Sequence, residues 1–173
     1  MKTIGLLGGM SWESTSGYYQ KINQGIRQTL GGLHSAKIAM YSVDFDPIEK
    51  LQHKGDWEGT AAILADAAQK IERAGADFLL ICTNTMHKVA PQIENAINIP
   101  ILHIADATAE TLVEKGIKHV GLLGTAFTME QDFYKGRLSD RYGRWVQLID
   151  ATHSLNVSAG VLYSKVFLGR SFN

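Results

Sequence analysis

Phe78-Leu79-Leu80-Ile81-Cys82-Thr83-Asn84-Thr85 decides the fold, because four apolar residues give way abruptly to small polar ones. Such a run reads as a parallel strand buried on both faces, and open α/β sheets bind ligands just beyond the carboxyl ends of their strands. The stretch also contains the only cysteine in 173 residues. The rest of the chain is placed relative to this strand end.

Upstream, Thr3 to Leu7 reads as a buried strand broken by Gly8-Gly9, with Ser11 or Ser14 capping a helix that runs to about Leu30. Gly8-Gly9-Met10-Ser11 is either a tight turn or a set of backbone N–H donors for a carboxylate or phosphate at the helix start. It lacks the third glycine of a dinucleotide fingerprint and the Gly-Lys-Ser/Thr ending of a Walker loop. Lys37 to Val43 makes a second strand, Pro47 suits the first turn of a short helix to about His53, and Trp57 to Ala74 places Ala61, Leu64, Ala68 and Ile71 at helical spacing. Downstream, Thr85 to Ala96 reads as a helix made irregular by Pro91, Ile99 to His103 as a short strand, and Asp106 to Lys115 as a helix stopped by Gly116. This alternation predicts an α/β fold, a three-layer doubly wound parallel sheet with right-handed crossovers.

Val120-Gly121-Leu122-Leu123-Gly124 repeats Ile4-Gly5-Leu6-Leu7-Gly8 at a spacing of 116, and Tyr134 falls on Tyr18 at the same spacing. The duplication implies two pseudo-symmetric lobes, 1–117 and 118–173, the second incomplete. In the second lobe Thr128 to Tyr142 is predicted to be a helix, Trp145 to Ile149 a strand, and Asn156 to Leu168 a helix. The same offset sets the equivalent of Cys82-Thr83 at roughly position 198 or 199, beyond Asn173.

Lysine plus arginine and aspartate plus glutamate number 17 each, which gives no electrostatic footprint for nucleic acid or an anionic membrane. The N-terminal apolar run is too short for a signal segment and nothing approaches a membrane span, so a cytoplasmic location is expected. A single cysteine rules out an intrachain disulfide and a multi-cysteine zinc site, and the histidines show no metal-ligand spacing.

Three pieces together resemble the aspartate/glutamate racemase family: Gly8-Gly9-Met10-Ser11, Cys82-Thr83-Asn84-Thr85-Met86-His87, and Leu123-Gly124-Thr125. The resemblance implies cofactor-independent proton transfer at the α-carbon of aspartate, glutamate or a similar amino acid, by one acid/base from each lobe on opposite faces of that carbon. It also implies a small-molecule amino-acid substrate and a homodimer. Cys82 and Thr83 are the catalytic candidates, and Met10, Ser11, Gln52, Asn84, Thr85 and Thr125 the substrate-binding ones. The commoner family motif places cysteine directly before the asparagine, where Thr83 stands here. Strand side chains alternate faces, so Thr83 is the better geometric match and Cys82 the better chemical one. An alcohol is a poor base near neutral pH, which favours one stereochemical direction. With the second-lobe partner beyond position 173, two-base racemisation by these residues alone is expected to be impaired.

Other readings stay open at this point. Cys82 also fits a small buried hydrophobe, and Asn84 and Thr85 also fit a helix cap. Gln52 and His53 fit the ligand rim or a solvated helix face, and His87 reads as a surface or capping histidine. The alternatives to a racemase are a non-catalytic remnant or small-carboxylate binding module, and a cysteine-nucleophile enzyme resembling maleate isomerase.

Overall fold

Ile4–Gly8 forms β1, Ile38–Ser42 β2 and Phe78–Ile81 β3. β1 lies between the other two and parallel to both, with Ile4 opposite Ile38 on one side and Phe78 on the other. The structure, a computed structural model, describes residues 1–117, 119–123, 132–143, 145–148 and 165–168. Its packing separates two units, Met1–His103 and Ile104–Asn173.

In the first unit the connections are α1 (Trp12–Leu30), α2 (Phe45–His53), α3 (Trp57–Arg73), a 3₁₀ turn (Thr85–Val89) and α4 (Ala90–Glu94). Each helix of the first three begins on a side-chain cap: Ser11 accepts from the Ser14 N–H, Asp44 from Asp46 and Asp56 from Gly59. Right-handed crossovers put α1 on one face of the sheet and α3 with α4 on the other. The core joins Leu7, Ile48, Leu64, Ala68, Ile71, Leu79, Ile81, Met86 and Ile93. A Cβ on Gly5 would stand 2.7 Å from Ile71 Cγ2 and 2.8 Å from the Phe78 carbonyl oxygen, so the bare backbone there lets α3 lie directly on β1.

Proline explains two departures from the sequence reading. The helix expected over Thr85 to Ala96 divides at Ala90, because Pro91 fits a first turn but not a helix interior. The strand expected over Ile99 to His103 narrows to one parallel bridge between Leu79 and Ile101. Pro100 has no N–H to donate; its carbonyl accepts from Leu79 at 2.9 Å, and Leu102 donates back to Leu79 at 2.9 Å.

In the second unit α5 (Ile104–Glu114) packs against α6 (Asp132–Tyr142) through Ala105, Ala109, Tyr134 and Leu138. The Arg137 guanidinium forks onto both Asp106 oxygens at 2.6 and 2.7 Å. This packing assigns α5 to the second unit, whereas the repeat offset divides the chain at 117/118. β4 (His119–Leu123) lies parallel to β5 (Trp145–Leu148), as β1 does to β2. Ile4 pairs with Ile38, 34 positions on, but Val120 pairs with Val146, 26 positions on, so the second repeat is eight residues shorter across its first crossover.

The helix expected over Asn156 to Leu168 is corrected at its end: Lys165–Leu168 is β6, antiparallel to β4, with Val120 opposite Leu168. Val166, Phe167 and Leu168 suit a strand, and the second edge of β4 offers backbone groups that need partners. No helix among the described residues is long and apolar enough to cross a membrane.

Candidate functional site at the carboxyl ends of the strands

β1 and β3 are neighbours, yet the chain leaves them towards opposite faces, to α1 and to α4. The crevice between their carboxyl ends is where an open α/β sheet takes a ligand. It is bordered by Gly8–Ser11 and Cys82–Thr85.

The glycine turn is fixed from three directions. The Gly8 carbonyl accepts from the Val43 N–H at 3.0 Å, and the Leu7 carbonyl from the Cys82 N–H at 2.9 Å. Thr15, buried in the first turns of α1, accepts the Gly9 N–H at 3.0 Å and donates to the Ser11 carbonyl at 3.0 Å. Ser11 uses its hydroxyl to accept the Ser14 N–H at 3.4 Å, so it is the N-cap. The first-turn N–H groups of α1 are then the donors a carboxylate would meet. Met10 is 3% exposed and packed in the core, which leaves only its backbone for such a contact.

The two candidate acid/base residues separate clearly. Cys82 is 1% exposed, and burial pushes its thiol up from 9.0 to about 12. Its Sγ lies 4.0 Å from the Leu80 carbonyl oxygen. Thr83, Asn84 and Thr85 are half-buried, the last opening the 3₁₀ turn. At neutral pH the thiol is protonated and enclosed, which suits neither a base nor a nucleophile.

Of the two readings open for His87, surface or capping, burial removes the first and its backbone contacts agree with the second. It is 2% exposed, and its Nδ1 lies 2.8 Å from the Thr83 carbonyl oxygen and 3.3 Å from that of Asn84. His103, also buried, meets its ring edge-on with centroids 4.4 Å apart and planes at 64°. Thr15 and His87 are both missing from the sequence-based site. The available signal was spacing: a hydroxyl six residues after Gly9 and an imidazole four after Thr83.

Gln52 is half-buried on the last turn of α2, and no hydrogen bond ties its amide to the strand ends among the described residues. His53 lies on the solvated face, paired with Glu49 at 2.8 Å. Thr125 lies outside the described residues. A cleft of about 300 Å³ opens beside the turn between α1 and β2, lined by Trp12, Thr15, Ser16, Tyr19, Met40 and Ser42. It includes none of Cys82–Thr85, which hold both acid/base candidates, so the strand-end crevice is the stronger candidate for chemistry.

The Asp/Glu/hydantoin racemase family model matches residues 7–165. The chain belongs to that family. It is 27% identical over 145 residues to the broad specificity amino-acid racemase RacX of Bacillus subtilis, covering 76% of this chain and 58% of RacX. It is 57% identical, at a TM-score of 0.84, to a crystal structure of a proposed Asp/Glu racemase from Yersinia pestis, with 88% of this chain and 66% of that one covered. An aspartate racemase homologue from Pyrococcus horikoshii is 36% identical at a TM-score of 0.79, again over 88% and 66% of the two chains. The chain thus spans 58% of RacX and 66% of each of the two crystal structures.

In this racemase-family chain the thiol of Cys82 gives a direct pH test. Its folded value lies above its unfolded one, so its contribution to stability is complete below pH 9 and is lost as pH rises towards 12. Each pH unit within that window removes about 1.4 kcal/mol. Urea unfolding from pH 7 to 10 should therefore show an alkaline decline that Cys82→Ala flattens. Iodoacetamide should leave Cys82 unmodified in the native chain and alkylate it once unfolded. Rapid native alkylation would contradict the buried position.

Proposed function

We propose that the strand-end crevice supports cofactor-independent racemisation of aspartate, glutamate or a similar small amino acid, with Thr83 as the first-lobe acid/base. The observation that carries this reading is the contrast between a half-buried Thr83 and an enclosed, protonated Cys82 at the end of the same strand. RacX is named a broad specificity amino-acid racemase, which agrees with an amino acid as substrate.

In this reading the α-carboxylate sits against backbone N–H groups of the Ser11 turn and of Asn84 and Thr85. Those donors are charge-assisted and pre-oriented, and they stabilise the negative charge that spreads onto the carboxylate as the α-proton leaves. Ser11, Gln52, Asn84, Thr85 and Thr125 are assigned to substrate binding, and Met10 contributes through its backbone. A hydroxyl at Thr83 serves better as the proton donor to a carbanion than as the base that forms it, which favours one stereochemical direction. Its partner on the opposite face of the α-carbon belongs to the second lobe.

The test is α-proton exchange in deuterated water, followed by NMR on L- and D-aspartate and L- and D-glutamate. Exchange from at least one of the four supports the reading, and none from any of them overturns it. The proposal includes a homodimer. Trp12, Tyr19 and Met40 are exposed along α1 and the edge strand β2, which is apolar surface that association would cover. Light scattering after size exclusion should give twice the chain mass, and a monomer at micromolar concentration would count against it.

A further inference from the structure

Thr83 stands just past the end of β3: among the described residues the last pairing is Leu7 with Ile81, and the last bond of the ladder runs from the Cys82 N–H to the Leu7 carbonyl at 2.9 Å. An acid/base residue there needs its backbone held by something other than the sheet. A misplacement of about 1 Å at a reacting group can cost about 10²-fold in rate.

We infer that His87 is the positioning residue for the site, an imidazole that fixes the Thr83–Asn84 backbone by hydrogen-bonding to both of its carbonyl oxygens. This inference rests on the proposed racemase reading. Nδ1 lies 2.8 Å from the Thr83 and 3.3 Å from the Asn84 carbonyl oxygen, and a carbonyl oxygen only accepts, so Nδ1 carries the proton and donates. The bond from Nδ1 to Thr83 spans four residues, and the 3₁₀ turn Thr85–Val89 folds the imidazole back over the strand end.

The ring is itself held. His87 is 2% exposed, and His103 packs edge-on against it from the segment just past Ile101, the residue that bridges to Leu79 of β3. His87, backed by His103 from a separate segment, therefore sets the carbonyl of the Thr83–Asn84 peptide and that of the next one. Orienting that peptide orients both the Thr83 side chain and the Asn84 N–H. The imidazole transfers no proton to substrate, and its Nδ1–H is available whether the ring is neutral or charged.

The experiment uses the whole chain. In uniformly ¹⁵N-labelled protein, His87 Nδ1 should be the protonated nitrogen at neutral pH; an Nε2–H tautomer with a bare Nδ1 overturns the proposal. His87→Leu removes the donor, and His87→Asn places an amide N–H near the same position. The leucine variant should lower kcat for α-proton exchange about 10- to 100-fold with KM moved less than about threefold, and the asparagine variant should return to within about fivefold of wild type. A leucine variant exchanging at the wild-type rate overturns the proposal, as does an asparagine variant that melts with wild type but exchanges like leucine. If the wild-type chain exchanges no α-proton, the racemase reading fails on its own. The positioning claim is then decided by the amide shifts of Thr83 to Thr85, and unchanged shifts in His87→Leu overturn it. The tautomer measurement is made on wild type and stands even where a variant fails to fold.

Discussion

Thr83→Val lowers α-proton exchange from aspartate or glutamate by about 10³-fold, within the range a positioned general acid/base contributes. Valine keeps the β-branch and nearly the volume of threonine, so the half-buried end of β3 retains its packing while the hydroxyl is lost. The effect should fall on kcat, because carboxylate binding is assigned to backbone N–H groups that the substitution leaves in place. Thr83→Ser should stay within about tenfold of wild type, since it keeps the proton-carrying oxygen. Thr83→Cys is the sharper arm. A thiol at this half-exposed position lacks the burial that pushes Cys82 to about 12, so its thiolate is reachable near neutral pH and should raise exchange in the direction where the alcohol is a weak base. Equal exchange by wild type and the valine variant would remove Thr83 from the chemistry. Cys82→Ala serves as the companion measurement, and a loss of exchange there as large as in Thr83→Val would reverse the assignment between the two.

The architecture was legible because its signals are local. The Leu6-Leu7 and Phe78 to Ile81 runs, the Gly8-Gly9 break and the Ala61, Leu64, Ala68, Ile71 spacing each fix an element without reference to the rest of the chain. The parallel pairing of β4 with β5 likewise agrees with the repeat of β1 and β2. What failed was less local. Asn156 to Leu168 has a pattern compatible with a helix, but Lys165–Leu168 pairs with an open edge of β4, a tertiary demand no window of sequence contains. The site divided along the same line. Cys82 and Thr83 could be singled out by residue type and alternation, yet which of them is enclosed depends on neighbours from other elements. For His87 residue type left surface and capping roles open, because a polar residue on a short turn is ordinarily solvated, whereas in the fold the ring is buried and meets His103 from another segment.

The largest expected loss of stability from one methyl group is at Gly9. Its φ is +99°, a conformation in which a Cβ meets the backbone, and side-chain-bearing residues held in sparsely populated regions of this kind pay about 1–3 kcal/mol. The surroundings add a second penalty: the Cβ of Gly9→Ala would overlap the Val43 carbonyl oxygen and stand 2.6 Å from its nitrogen. Neither atom is the end of a flexible side chain. Val43 is held where it is by its N–H bond to Gly8 at 3.0 Å, one residue past the end of β2. Relief therefore requires moving either the β2 exit or the turn itself, at about 1–3 kcal/mol more. The sum, about 4 kcal/mol, is a large share of the 5–15 kcal/mol that holds a typical domain folded. Urea unfolding measures it. Gly17→Ala in α1 provides the contrast, because nothing lies within 4 Å of its Cβ and alanine is favoured in a helix, so that variant should gain about 0.5–1 kcal/mol. The turn that sets the first-turn N–H groups of α1 beside Thr83 would then be the least replaceable backbone in the first unit, and a Gly9→Ala variant as stable as wild type would show that the turn can relax while keeping the fold.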